Sequence, residues 1–461
     1  MHKSSISHVR QRALLSAVAA AGALTLVAAP LAASADPSST VIPHDSTAGI
    51  GAAPAGIAID QSLDRAFVTN SGDGTVSVID TEANTVVGVI PHDLVNGIGD
   101  GPAGIAIDQK KHRAYVANKD SNTVSVIDTS TATVISVIAY NPHSGIGHEP
   151  LGVAVDEARN RAYVTEYSDG QVAVVDTTTD SVITIITFDL VRGIGRGPAG
   201  VAVDGALNRA FVANSGDDTV SVVDTRVFKV TRVLNDLSSA VGHGPRGVAV
   251  DTKKHHVFVT NAGDDTVTVI DTGTLAADRL LGSAYGIGDA PSAVAVDEAR
   301  RRVYVANSGD DTVTVLNADD YTRVAVLGAG QGIGAGPSAV AVEQGSGDSF
   351  VANTADGTVT ALSGVGTMSP AITTTALPDA YQGSAYSAAI HTVGIASPTF
   401  EITAPKGESL PTGLSIDPAT GILQGTITAA PGTYHVTIVA SQTGIHLATA
   451  TLTLIVRDPE L

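Results

Sequence analysis

From residue 54 onward the chain is written in short runs of Val, Ile, Ala and Thr broken by Gly, Asp and Asn. No run repeats its apolar residues at the three-to-four spacing of a helix, and the apolar stretches are nearly continuous instead of alternating, which predicts strands covered on both faces. One phrase, Pro-x-Gly/Ala-Val/Ile-Ala-Val/Ile-Asp/Glu, recurs with its prolines at Pro54, Pro102, Pro150, Pro198, Pro245, Pro291 and Pro337. The spacings are 48, 48, 48, 47, 46 and 46 residues. A period of that length carried by strands predicts radially repeated four-stranded sheets, an all-β seven-bladed propeller.

The second repeat shows the four strands: Gly104 to Asp108, Arg113 to Asn118, Thr123 to Asp128 and Val134 to Ile138. The seventh repeat has only three, and Thr40-Val41-Ile42-Pro43-His44-Asp45 copies Val89-Ile90-Pro91-His92-Asp93. The N-terminal segment is therefore expected to supply the missing outer strand, with Val41 and Ile42 burying opposite faces, so that the ring closes without a bare edge.

The second strand of each repeat ends in a recurring tetrapeptide: Phe67-Val-Thr-Asn70, Tyr115-Val-Ala-Asn118, Tyr163-Val-Thr-Glu166, Phe211-Val-Ala-Asn214, Phe258-Val-Thr-Asn261, Tyr304-Val-Ala-Asn307 and Phe350-Val-Ala-Asn353. On these residues the span 40 to 366 resembles the YVTN family of β-propeller repeats, common in exported and surface-layer proteins. That resemblance implies a fold and no particular activity, because members of the family differ in what they do. After Pro370 the repeat stops. Leu410-Pro-Thr-Gly-Leu-Ser-Ile-Asp-Pro-Ala-Thr-Gly-Ile-Leu-Gln-Gly-Thr426, followed by Pro431-Gly-Thr-Tyr-His-Val-Thr-Ile438, resembles immunoglobulin-like domains related to cadherin repeats. It predicts a small β-sandwich over 372 to 458, with calcium resting on Asp417 and Asp458 alone.

Lys3, Arg10 and Arg12 precede an apolar run from Ala13 to Ala33, and Ala33-Ser34-Ala35 offers a small-residue cleavage site before Asp36. Residues 1 to 35 read as a secretory signal peptide, with a signal anchor as the alternative, and no second stretch is long enough to span a bilayer. The expected location is secreted, extracellular or cell-surface associated. With no cysteine, disulfides and thiol chemistry are excluded. The net charge of −20 repels phosphate backbones and excludes nucleic acid as a natural partner.

Candidate chemistry sits where the repeats stop agreeing. Two positions before each proline stand Ala52, Asp100, His148, Arg196, His243, Asp289 and Ala335, a ring of loop residues expected at the channel mouth. Blade three departs furthest, with His148-Glu149 before its proline and Glu166-Tyr167 where the others have Asn and a small residue or Lys. His148, Glu166 and His243 are the candidates for a two-His, one-carboxylate metal site or an acid/base pair, set against simple repeat drift. The binding candidates are Asp100, His148, Glu149, Glu166, Tyr167, Arg196, His243 and Asp289. The other second-strand Asn residues read as strand-ending caps, and Asp217-Asp218, Asp264-Asp265 and Asp310-Asp311 as solvated turns lacking the alternate-acid spacing of a calcium loop. No Gly-x-Ser-x-Gly is present, and Trp is absent, which disfavours stacking sites for sugars or bases.

Two functions follow. One is an exported, non-catalytic binding or scaffold protein whose loop face meets an extracellular protein, a cell-envelope component or a small molecule at the mouth. The other is a propeller enzyme of lyase, lactonase or hydrolase type with a site in the axial mouth, with or without metal assistance. No cofactor is evident, a divalent metal such as calcium being the one considered.

Overall fold

A computed structural model describes residues 38–45, 47–189, 191–235, 241–365, 371–372, 374–390, 392–393, 399–442 and 445–458. The leader over 1 to 35 and the junction at 366 to 370 lie outside these residues. Six four-stranded antiparallel sheets follow one another in chain order, from Pro54–Asp60 through Thr85–Ile90 to Pro291–Asp297 through Arg323–Leu327. A seventh is made of Pro337–Val342, Ser349–Asn353, Thr358–Ser363 and the N-terminal strand Ser38–Ile42. In the closing pair Ser38 faces Ser363, Thr40 faces Ala361 and Ile42 faces Val359. The seven-bladed, strand-closed ring is as the repeat predicts.

The near-continuous apolar runs have a direct cause. Each hydrophobic core lies between two blades, so a strand is covered on both faces; Phe67, Val76 and Val78 of blade one pack with Ile105, Val116 and Ile127 of blade two. The second strands are the most deeply placed, and their aromatic residue, Phe67 or Tyr115 for example, has no exposed surface. The last interface joins blade seven to blade one through Phe350, Val359, Ile42, Ile57 and Ile79. Here one expectation is corrected: Ile42 is 4% exposed but Val41 is 46% exposed, so only one face of the closing strand is buried. The outer strand of a blade has a neighbour on a single edge and stands at the rim, where its second face meets water.

The inner strands abut one another around the axis and must approach closely. A Cβ on Gly56 would sit 2.3 Å from the carbonyl oxygen of Ala103, and one on Gly200 would sit 2.1 Å from that of Arg246. That contact is why the phrase carries Gly after Pro-x in the first five blades.

The C-terminal region folds on its own core of Tyr386, Phe400, Leu423, Val436, Ile438 and Leu454. One sheet orders Ala380–Tyr381, Ile445–Arg457, Gly432–Gln442 and Thr399–Thr403, and the other Ala385–Ala389, Ile422–Thr426 and Ser415–Ile416. Asp417 caps its own turn, accepting from the backbone of Ala419 and Thr420 at 2.9 Å each. Among the described residues no helix is long and apolar enough to cross a membrane.

Candidate functional site

The loops of the mouth are held by the acidic turns. The residue two before the proline gives its backbone N–H to an Asp of its own blade's turn: Ala52 to Asp73 at 2.7 Å, His148 to Asp169 at 2.7 Å and His243 to Asp264 at 3.1 Å. The second Asp of a pair reaches forward to the next blade, Asp218 accepting from Gly244, Asp265 from Ala290 and Asp311 from Gly336, each at 2.8 Å. The paired aspartates are thus fasteners between loops and not merely solvated turns. The second Gly of each Gly-Ile-Gly is dictated by the same contact, since a Cβ on Gly51 would lie 2.6 Å from Asp73 Oδ2 and 2.8 Å from the Asn70 side chain.

Six blades repeat one capping pattern. Asn214 Nδ2 donates to Thr219 Oγ1 at 3.0 Å and Ser221 Oγ at 2.9 Å, and Ser221 Oγ donates to the carbonyl of Gly193 at 3.1 Å. The structural reading of these asparagines holds. Blade three rebuilds the cap with different chemistry: Glu166 accepts from the backbone of Gly147 at 2.6 Å and from Gln171 Nε2 at 2.6 Å. Gln171 stands where Thr is found in the other blades, and Ala173 replaces the Ser or Thr. Glu166 has no exposed surface, and burial pushes its carboxyl up to about 7 despite those two donors.

The proposed trio therefore does not converge. Glu166 is turned into its own loop, His148 Nδ1 lies 3.1 Å from Asp169 Oδ1, and His243 Nδ1 lies 2.9 Å from Asp218 Oδ2. Among the described residues no group of three His, Asp or Glu side chains is placed to hold a metal ion. A second-strand terminus is enclosed between blades, so a carboxylate there is held by the loop beneath it and not by the mouth. Two other members of the ring are dispersed in the same way, His92 Nε2 lying 2.9 Å from Asp100 Oδ1 and Arg196 resting over the Phe188 ring, while the backbone carbonyl of Asp289 accepts from the Gly309 N–H as its equivalents do in other blades.

What does open on the axis is a channel of about 670 Å³. Its wall is formed by the inner strands, and its rim by Lys119, Glu149, Tyr167, Ser215 and Thr354, so the interblade loops and second-strand turns share one mouth. Lys119 is paired with Asp120 at 2.6 Å. Glu149 accepts a hydrogen bond from Ser168 through one carboxylate oxygen. Glu149 also occupies a left-handed backbone position, φ 50°, where four other blades have Gly. Two of the sequence candidates, Glu149 and Tyr167, thus stand at the mouth.

Sequence reasoning missed Arg246. It is the x of Pro-x-Gly in blade five, where the other blades have Ala55, Ala103, Leu151, Ala199, Ser292 and Ser338. Its side chain is exposed to the channel it lines. The signal was present in the phrase itself: one charged residue among seven equivalents at a position facing the axis.

Comparison with known proteins agrees with this architecture. Residues 95–363 match the family described as "Lactonase, 7-bladed beta-propeller", and residues 369–457 match "Putative Ig domain". No curated protein matches the chain. Among solved structures, hydrazine synthase of Kuenenia stuttgartiensis is similar at 19% identity and TM-score 0.55, over 67% of this chain and 95% of that one. The RRP9 WD40 repeats are similar at 12% identity and TM-score 0.59, over 71% and 98%. A functionally unknown protein from Desulfotomaculum acetoxidans is similar at 15% identity and TM-score 0.51, over 63% and 89%. At these identities the likeness is one of fold. The family match, in contrast, covers more than half of the sequence and carries the repeat through all but the first blade: the chain belongs to the seven-bladed lactonase β-propeller family.

Proposed function

We propose that this protein is an exported binding protein that receives a small molecule at the axial mouth of its propeller, with the immunoglobulin-like module presenting or tethering it. One observation carries the reading. The ionisable side chains suited to catalysis are engaged in holding loops together, whereas the channel they surround is open, about 670 Å³, and lined by small and apolar residues together with Lys119, Glu149, Tyr167, Arg246 and several hydroxyls. That volume and that lining are those of a ligand pocket. The chain has no Trp, so Tyr167→Trp places a single indole at the rim as a reporter. Saturable changes in its emission on titration with a small-molecule library are expected. A silent indole across the library, with wild-type protein hydrolysing lactones, would overturn the proposal.

The second reading is a propeller hydrolase of the lactonase type. Family membership favours it, as does Glu166, a carboxyl enclosed beneath the blade-three loop that burial pushes up to about 7. Turnover of γ- or δ-lactones by the wild type, lost in Glu166→Gln, would establish it in place of the first.

A further inference from the structure

Resting on the reading of the mouth as a small-molecule site, we infer that Arg246 makes it specific for a monocarboxylate with an apolar body. Among the described residues the Arg246 guanidinium has neither a hydrogen bond nor an ion pair, although it stands on the inner strand at the channel wall. The scaffold does not call for it, since the same position holds Ala in three blades and Ser in two. An unpaired guanidinium presents its planar fork of donors to whatever enters, and a carboxylate matches that fork with two parallel bonds.

The charge balance selects a single negative charge. The other cation at the rim, Lys119, is already neutralised by Asp120, and Glu149 adds a negative charge to the same mouth. The chain as a whole carries −20. A dianionic phosphate would meet one free cation against that field, whereas a carboxylate is balanced by it. Around the Arg246 level the channel lining includes the partly exposed Ala55, Ala103, Leu151, Val153 and Val248, which suit a hydrocarbon or aromatic body. Tyr167 and the free oxygen of Glu149 remain at the rim for polar substituents on the ligand.

Isothermal titration of the full chain with 4-phenylbutyrate and its uncharged isostere 4-phenylbutyramide separates the charge from the body. The wild type is expected to bind the acid about tenfold more tightly than the amide, the scale of a hydrogen-bonded charge. Arg246→Gln should bring the acid down to the level of the amide while leaving the amide unchanged, and circular dichroism should show the fold intact. Leu151→Trp, which fills the channel at the equivalent position of blade three, should abolish both. Equal binding of acid and amide by the wild type overturns the inference, as does an advantage for the acid that survives in Arg246→Gln or an absence of binding by either. If Leu151→Trp removes both ligands while the advantage persists in Arg246→Gln, the mouth remains the binding site and only the role of Arg246 falls.

Discussion

Replacing Ile42 by Ala should destabilise the propeller more than any other change in the closing strand. Ser38–Ile42 has the burial of an edge strand, with four exposed residues and one buried one. Ile42 is 4% exposed and packs with Ile50, Ile57, Ile79, Phe350 and Val359 across the seam between blades seven and one. Removing its side chain leaves a cavity among residues held on both sides by sheets, so the cost should be about 2–5 kcal/mol, toward the upper part of that range because neither sheet can collapse inward. Val41, 46% exposed, provides the control in the adjacent position: Val41→Ala should change stability by no more than about 0.5 kcal/mol. Urea unfolding followed by circular dichroism measures both. Deleting residues 38 to 42 should combine the loss of Ile42 with a bare edge on Thr358–Ser363, so that the protein also self-associates, visible by light scattering. Equal midpoints for Ile42→Ala and Val41→Ala, or a deleted protein that melts and scatters like the wild type, would refute the account of how the ring is sealed.

Asn214→Ala removes two hydrogen bonds, a half-buried one to Thr219 and a buried one to Ser221, and should cost about 1–3 kcal/mol in the same urea assay without altering ligand response at the mouth. Glu166 keeps its proton to about pH 7 in the folded protein but only to its ordinary value of 4.5 when unfolded, so the folded state holds more protons in that window. The contribution of this site should therefore be full below pH 4.5 and decline toward pH 7, by up to about 3 kcal/mol; Glu166→Gln should abolish that part of the slope, as melts across pH 4 to 8 would reveal. Glu149→Gly relieves a left-handed backbone position and should raise stability by about 1 kcal/mol while weakening any mouth ligand that donates a hydrogen bond to that carboxylate, two effects separable by melting and titration.

The repeat made the fold legible because a propeller says the same thing seven times, and even the shortfall of the seventh repeat pointed to the strand that completes it. The immunoglobulin-like region was legible too, as a sandwich whose strands run from Ala380–Tyr381 to Ile445–Arg457, inside the expected span of 372 to 458. The site was harder because variation alone does not reveal direction. His148 and His243 vary, yet each is bent onto an aspartate, in the second case one belonging to the preceding blade, and a contact spanning 25 residues leaves no local pattern. Glu166 drew attention as an isolated departure, but the compensating changes at Gln171 and Ala173 were in the sequence at the spacings where Thr and Ser cap the other blades. Read together, the three describe a rebuilt cap. Arg246 was passed over for the opposite reason: it lies inside the conserved-looking phrase, where the eye sees scaffold.

The closing strand also sets the order of events in folding. Hydrogen bonds between neighbouring blades span fewer than 70 residues of chain, as from Thr129 to Asp60 at 69, but Thr354 donates to the carbonyl of Pro54 at a separation of 300 residues, and Gln344 N–H to Gln61 Oε1 at 283. Closing a loop several times longer costs about 1–2 kcal/mol more in chain entropy, so contacts within and between adjacent blades form ahead of the seam. The first strand of the ring is consequently the last to find its place, waiting for Thr358–Ser363 to fold. Until then the folding chain is an open arc with an unpaired edge, and its closure is a late event on which the seam between blades seven and one depends.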